Sequence, residues 1–242
     1  MANSMTLNIK NASTATQSFF IFQQPAGFTG GGTVYSTSLF NAPLLPYASS
    51  GAVLTVSLVQ QPGHAYAGAQ QSATAPAVGQ IAGGTTAMQD MTLSAPGAQT
   101  PNTTQLSTDP LGLSPAIYST APAAGTFRIV IPSFNAALQQ FNAGTAIANI
   151  DQSITLSSFV SALPLTNLDC QPTLILYVQT GVEPARTIVD FTAVSQNAAR
   201  CDFTPGYASY AVTYAANGTW SVTPYLTKRL PDGREVLVPA NL

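Results

Sequence analysis

The stretch of sequence that decides the fold is Tyr207–Thr223, YASYAVTYAANGTWSVT. It has the pattern of a β-hairpin, because the turn-forming pair Asn217-Gly218 lies between two segments in which apolar and polar residues alternate. Successive side chains of a strand point to opposite faces, so this alternation predicts a sheet with one buried face. The hairpin therefore indicates a β protein, although it does not indicate a function.

The length of the hairpin loop determines which side chains share a face. A two-residue loop would pair Tyr214 with Ser221 and would mix polar and apolar residues on each face. A three-residue loop, Ala216-Asn217-Gly218, would pair Tyr214 with Trp220 and make one face uniformly apolar. That face would consist of Tyr210, Val212, Tyr214, Trp220 and Val222. We predict the three-residue loop, with Gly218 in the left-handed conformation of a bulge.

The chain of 242 residues is unusually poor in charge. Charged residues make up 7% of it, against about 25% in an average soluble domain. Hydrophobic residues, at 45%, are sufficient for a large core, while 18 glycines and 18 prolines divide the chain into short elements. Since the net charge is −2 and there is no large basic cluster, we do not expect nucleic-acid binding.

Neither a membrane span nor a secretory signal is visible in the sequence. No apolar run approaches the roughly 20 residues of a membrane-spanning helix. The N-terminal segment MANSMTLNIK has no basic region followed by an apolar stretch. We expect a cytoplasmic protein, or one that is exported without a visible signal peptide.

A further strand is predicted at Leu54–Leu58, where apolar and polar residues alternate, and another at Leu174–Val178, a continuous β-like run bounded by Pro172 and Gly181. Helical spacing occurs where Ser133 precedes Phe134, Leu138 and Phe141. The segment from Leu156 to Leu163 also fits a helix, although a strand is nearly as good an interpretation. We predict an all-β protein, a β-sandwich with Greek-key-like connections and a short helical insertion near residues 133–163.

Residues 62–125 are rich in small and polar residues and contain few large apolar ones. Met88, Met91 and Leu93 favour one strand, and the remainder is predicted to form long loops over a sheet or a mobile segment. We predict a single domain spanning residues 1–242. The alternative is a linker in this region between two smaller β domains, residues 1–118 and 125–242.

The two cysteines, Cys170 and Cys201, each have an aspartate neighbour, Asp169 and Asp202. The thiols are either buried and reduced or joined in a disulfide bond. A disulfide would bring the two carboxylates close together, and two close carboxylates can bind calcium. We therefore name Cys170 and Cys201 as the candidate disulfide and Asp169 and Asp202 as the candidate metal ligands. No other cofactor is expected.

No catalytic motif is visible, because the chain has one histidine, His64, and no G-x-S-x-G sequence. We predict no catalytic residues. A surface rich in hydroxyls and amides, with nine tyrosines and one tryptophan, is suited to sugars, which stack on aromatic rings. The candidate ligand-binding residues are tyrosines in loop-like sequence, which are Tyr35, Tyr47, Tyr66 and Tyr118. Their alternative role is as partly buried caps on a sheet edge.

The first 89 residues contain one charged side chain, Lys10. Charged residues normally prevent the exposed edges of sheets from pairing with other chains. A loop, a second copy of the chain or a partner protein is therefore expected to cover these edges. This pattern predicts a structural or self-assembling protein, with a homo-oligomer as one form of assembly.

Two segments resemble the RhiA-like family of rhizosphere-induced proteins of soil bacteria. They are Phe19–Phe40, FFIFQQPAGFTGGGTVYSTSLF, and Leu44–Leu58, LLPYASSGAVLTVSL. The resemblance implies a soluble bacterial protein associated with life around plant roots, and it identifies no functional residue. We therefore predict a non-enzymatic binding protein with a glycan or protein ligand. The alternatives are a self-assembling protein and a hydrolase that uses a carboxylate pair.

Overall fold

The computed structural model describes residues 4–59, 63–148, 154–230, 232 and 234–240. Within them the chain forms 20 strands and two short helices. In chain order the strands are β1 (Ser4–Ala12), β2 (Gln17–Gln23), β3 (Gly27–Thr29), β4 (Val34–Leu44), β5 (Leu54–Val59), β6 (His64–Ser72), β7 (Thr86–Thr92), β8 (Pro101–Thr108), β9 (Leu111–Leu113), β10 (Ile117–Tyr118), β11 (Phe127–Val130), β12 (Gln140–Ala148), β13 (Ile154–Ser161), β14 (Asn167–Gln171), β15 (Ile175–Thr180), β16 (Ile188–Val189), β17 (Ala199–Asp202), β18 (Ser209–Ala215), β19 (Trp220–Arg229) and β20 (Glu235–Pro239). The helices are α1 (Tyr47–Ser50) and α2 (Phe191–Ser195). The protein is an all-β sandwich with minimal helix, as the sequence predicts.

The strands form three sheets. The five-stranded sheet has the order β20-β19-β18-β1-β5. The six-stranded sheet has the order β10-β8-β11-β14-β3, with β9 paired to β8. The nine-stranded sheet has the order β17-β15-β2-β4-β13-β12-β6-β7, with β16 paired to β4. Every sheet combines strands from both sides of residues 118–125, so the sheets do not separate at the boundary of the two-domain alternative.

The hairpin of β18 and β19 has the predicted loop and register. Tyr214 is opposite Trp220, Val212 is opposite Val222, and Gly218 has a φ of +81°. On its other side β18 pairs in parallel with β1, which brings Leu7 and Ile9 into the same sheet. The predicted apolar face of the hairpin is therefore one wall of a hydrophobic core.

Two large hydrophobic clusters hold the sheets together. The first lies beneath the five-stranded sheet and includes Leu7, Ile9, Phe19, Val178 and Val212. The second joins the six-stranded sheet to β6, β7, β12 and β13, and includes Met91, Phe127, Ile129, Phe141 and Leu168. Each fully buried side chain of this size contributes about 1.5–3 kcal/mol to the hydrophobic stabilisation.

The predicted helical insertion near residues 133–163 is wrong. Residues 140–148 and 154–161 are the antiparallel strands β12 and β13, while residues 149–153 lie outside the described part of the chain. Phe134 packs edge-on against the buried Phe141, with ring centroids 5.1 Å apart, but Leu138 is 81% exposed. β12 is buried on both faces, so its sequence lacks the period-two alternation by which strands are recognised.

The predicted long loops within residues 62–125 are also wrong, although residue 62 itself lies outside the described part. β7 is the strand predicted from Met88 and Met91, but β6 is a second long strand, between β12 and β7. Its buried residues Ala65, Ala67, Gly68 and Ala69 are small, and side chains of the neighbouring strand lie close to them. A Cβ atom added to Gly68 would lie 2.7 Å from the Cβ of Ala146. The scarcity of large side chains therefore reflects close packing in this part of the nine-stranded sheet.

Candidate functional site

The four tyrosines predicted to bind a ligand lie on separate elements. Tyr35 is in β4 and stacks on Phe159, with ring centroids 5.5 Å apart, while Tyr66 is in β6. Tyr118 is exposed in β10, at the edge of the six-stranded sheet. Tyr47 is in α1, and the Lys10 Nζ atom lies 3.9 Å from the centre of its ring. The structure does not assemble these residues into one site.

An open groove of about 440 Å³ lies instead between the loop of the β18–β19 hairpin, the end of β15 and α2. Its lining combines three aromatic side chains, Tyr214, Trp220 and the buried Phe20, with amide, hydroxyl and carboxylate groups. The lining residues used in the argument below are Gln179, Glu183, Val194, Asn197, Tyr214 and Trp220. None of them is among the candidate ligand-binding residues predicted from the sequence.

Trp220 and Tyr214 form the aromatic part of the groove. Their ring centroids are 4.8 Å apart with the planes tilted by 53°, and each ring packs edge-on against the buried Phe19 at 6.0 Å. The Trp220 Nε1–H donates a hydrogen bond to the backbone carbonyl of Asn197 at 2.7 Å. Since the indole is fixed by both packing and a hydrogen bond, the aromatic surface is formed before any ligand arrives.

Gln179 contributes a similarly fixed amide. Its Nε2 donates to the carbonyl of Val194 at 3.3 Å, and its Oε1 accepts from the N–H of Thr180 at 2.8 Å. These bonds link the end of β15 to α2, which begins with the Asp190 carboxylate accepting from the N–H of Ala193. The orientation of the Gln179 amide is therefore determined by the protein, while the exposed Asn197 amide adds a second polar group.

Glu183 is the one acidic residue that lines the groove within the described residues. Its backbone carbonyl accepts a hydrogen bond from Ser38 Oγ at 2.9 Å, which fixes the main chain at this point. Its carboxylate, by contrast, has no hydrogen bond or ion pair to another described residue. This half-buried carboxylate is available as a hydrogen-bond acceptor for a ligand.

The predicted disulfide is wrong. Cys170 and Cys201 are free thiols, buried in different hydrophobic clusters. Burial in apolar surroundings raises the pKa of Cys170 well above its usual value and raises the pKa of Cys201 to about 12. Both side chains are therefore neutral packing groups near pH 7.

The predicted calcium site at Asp169 and Asp202 is not formed either. Asp169 accepts two hydrogen bonds from the guanidinium of Arg128, at 2.6 and 2.8 Å, and Asp202 accepts one from Arg200 at 2.9 Å. The aspartates lie in different sheets, on β14 and β17, and no disulfide joins the cysteines beside them. Across the described residues, no group of three His, Cys, Asp or Glu side chains is placed to hold a metal ion.

The groove contains residues that the sequence assigns to another role. Tyr214 and Trp220 belong to the core-facing side of the hairpin, and that assignment is correct for their inner surfaces. One feature of the sequence could have indicated that the outer surfaces of these rings are available to a ligand: the single tryptophan of the chain lies beside the hairpin turn. The other side of the groove comes from residues 179–197, which only the folded chain brings to the hairpin.

The described part of the chain contains no helix with the length and apolar character needed to cross a membrane. Comparison of the chain with protein-family models, with curated proteins and with solved structures finds no match in any of the three.

Proposed function

We propose that the protein is a non-enzymatic binding protein that holds a carbohydrate in the groove beside Tyr214 and Trp220. The observation that carries this proposal is the presence of fixed aromatic rings and fixed polar groups in one groove. Its volume, about 440 Å³, lies within the range of about 300–1,000 Å³ that is usual for small-molecule sites.

The chemistry of the lining matches that of a sugar. A pyranose ring has C–H-rich faces that pack on aromatic rings, and the half-buried Tyr214 and Trp220 provide such a surface. The hydroxyls at the rim of the ring need donors and acceptors. Gln179 and Asn197 offer amide groups, and Glu183 offers a carboxylate that can accept two hydroxyl hydrogen bonds.

The groove supports binding better than it supports hydrolysis. A glycoside hydrolase places two carboxyl groups about 5–9 Å apart around the scissile bond. Among the described lining residues Glu183 is a lone carboxylate, and Asp169 and Asp202 are engaged by arginines. The resemblance to RhiA-like proteins would place this binding activity between a soil bacterium and a plant root, and that setting is part of the proposal.

The first test is binding of the labelled protein to a broad glycan array, with calcium and with a chelator. We expect competable binding to one class of glycan, unchanged by the chelator because the candidate calcium ligands are paired with arginines. A blank array in both buffers would contradict the proposal.

Point variants then locate the site. Glu183→Gln keeps the shape of the side chain, and Asn197→Ala keeps the backbone carbonyl that Trp220 uses. Each should weaken glycan binding about tenfold, which is the loss of about 1.4 kcal/mol expected for one good hydrogen bond to a charged or buried group. Tyr118→Ala, an exposed tyrosine outside the groove, is the matched control and should bind as the wild type does. Equal binding by all three variants would place the ligand elsewhere.

A further inference from the structure

The outermost strands of the three sheets differ in how they are protected from pairing with other chains. β3 and β10 are three and two residues long, which leaves little edge to pair with. β7 contains Asp90, and β17 contains the ion pair of Arg200 and Asp202. β20 contains Glu235 and ends at Pro239. Shortness, charge and proline are the usual means of preventing edge-to-edge association.

β5 is the exception among the described edge strands. Its six residues, LTVSLV, include neither a charged residue nor proline. It lies at the end of the five-stranded sheet, and within the described residues it is paired with β1 alone. Val53, immediately before it, is 47% exposed. This edge is therefore long and uncharged, with an exposed apolar side chain at its start.

The hydrogen bonds of β1 show which backbone groups of β5 point outward. The N–H of Thr6 donates to the carbonyl of Ala208 at 3.1 Å, so the backbone groups of Thr6 face β18. Those of Leu7 consequently face β5, where Leu7 is opposite Val56. Backbone groups alternate in direction along a strand, so those of Thr55, Ser57 and Val59 point away from β1, toward the edge that no other described strand occupies.

We propose that this edge pairs with the same edge of a second copy of the chain, antiparallel and about a twofold axis at Val56. The axis places Val56 opposite its own counterpart and Thr55 opposite Ser57 of the second copy. The outward backbone groups of Thr55 and Ser57 then meet as a hydrogen-bonded pair. The two five-stranded sheets become one continuous sheet across the dimer.

The side chains of β5 match one another in this register, which is why a second copy is the favoured occupant. On the core-facing side, Leu54 lies opposite Leu58 and continues the apolar face of the first cluster. On the outer side, Thr55 lies opposite Ser57, and the exposed Val53 lies opposite Val59. No like charges meet, and a twofold axis makes every contact twice, as an isologous interface requires.

The test is sedimentation velocity of the full chain over a series of concentrations, with two variants at one position. Thr55→Pro removes the outward N–H of Thr55, which β1 does not use, so an edge strand can accept it. Thr55→Val also loses the side-chain hydrogen bond to Asn8 but keeps that N–H, which makes it the matched control. We expect Thr55→Pro to raise the dimer dissociation constant at least about tenfold and Thr55→Val to leave it within about threefold.

Hydrogen exchange of the wild-type protein gives a second readout that needs no variant. The amides of Thr55, Ser57 and Val59 should be protected at high concentration and should exchange faster on dilution, whereas amides of β18 should not depend on concentration. A wild-type monomer at all concentrations would overturn the proposal. A dimer that Thr55→Pro leaves intact, or exchange at β5 that is independent of concentration, would also overturn it.

Discussion

Replacing Gly144 by alanine tests the packing of the nine-stranded sheet at a point where two strands lie very close together. Gly144 lies in β12 opposite Phe159 of β13 and opposite Gly68 of β6. A Cβ atom at this position would lie 2.2 Å from the carbonyl oxygen of Ser158 and 2.7 Å from the Cα of Phe159. Both contacts are with backbone, so no change of side-chain rotamer can relieve them.

The separation of β12 and β13 must therefore increase by roughly 1 Å before alanine fits, since nonbonded atoms prefer distances of about 3.5–4.0 Å. Overpacking of this kind typically costs about 1–3 kcal/mol. For a chain of this length, 1 kcal/mol lowers Tm by about 2–4 °C. We expect Gly144→Ala to reduce the free energy of unfolding by at least about 2 kcal/mol and to lower Tm by at least about 4 °C.

Gly32→Ala is the matched control, because a Cβ atom on Gly32 would have no other atom within 4 Å and its φ is not in the left-handed region. It should change stability by about 0.5 kcal/mol or less. Urea titration and thermal unfolding of the three proteins, followed by circular dichroism, provide the measurement. A Tm for Gly144→Ala within about 1 °C of the wild type would refute this account of the β12–β13 packing.

Three further outcomes are expected. In the native protein at about pH 8, Cys170 and Cys201 should not react with a thiol reagent, because burial raises the pKa of both thiols. Both should react after unfolding, and rapid labelling of the folded chain would contradict their burial. Burial alone would raise the pKa of Asp202, but hydrogen bonds from Thr204 and the charge of Arg200 leave it lowered. Its ionised form therefore stabilises the fold above the unfolded pKa of about 3.9, and that contribution is lost as the pH falls through the folded value. In urea titrations, the free energy of unfolding of Asp202→Asn should fall less steeply below about pH 4 than that of the wild type. The same pH dependence in both proteins would count against a stabilising role of the Asp202 carboxylate. Gly218→Ala should lower the free energy of unfolding by about 1–2 kcal/mol, because alanine is strained at the φ of +81° in the hairpin loop. Gly218→Asn should lower it less, and equal stability of the two variants would argue against backbone strain at this position.

The fold class and the hairpin could be predicted from the sequence because both depend on local patterns. The alternation in residues 207–223 and the Asn217-Gly218 turn indicate a strand pair, and the pairing of Tyr214 with Trp220 follows from keeping one face apolar. An alternation of apolar and polar residues is visible in the sequence wherever one face of a strand is buried and the other is exposed.

The strands β12 and β6 could not be recognised in the same way. β12 is buried on both faces, so its residues do not alternate. The buried positions of β6 are mostly alanine and glycine because its neighbours come close, and a strand without large apolar side chains at its buried positions resembles a loop in composition. In both cases the pattern depends on packing partners that are distant in the chain, which the local sequence does not specify.

The sequence by itself determined that this chain is a charge-poor β protein with a three-residue hairpin loop, since period-two patterning and turn chemistry act between near neighbours. Tertiary structure alone decided that Cys170 and Cys201 lie in separate cores, that each candidate aspartate has its own arginine, and that residues 179–197 meet the hairpin to form a groove. The physical reason is that these arrangements depend on long-range sheet order. Several different strand orders would satisfy the same local pattern. The packing of the whole chain determines which of these strand orders has the lowest free energy.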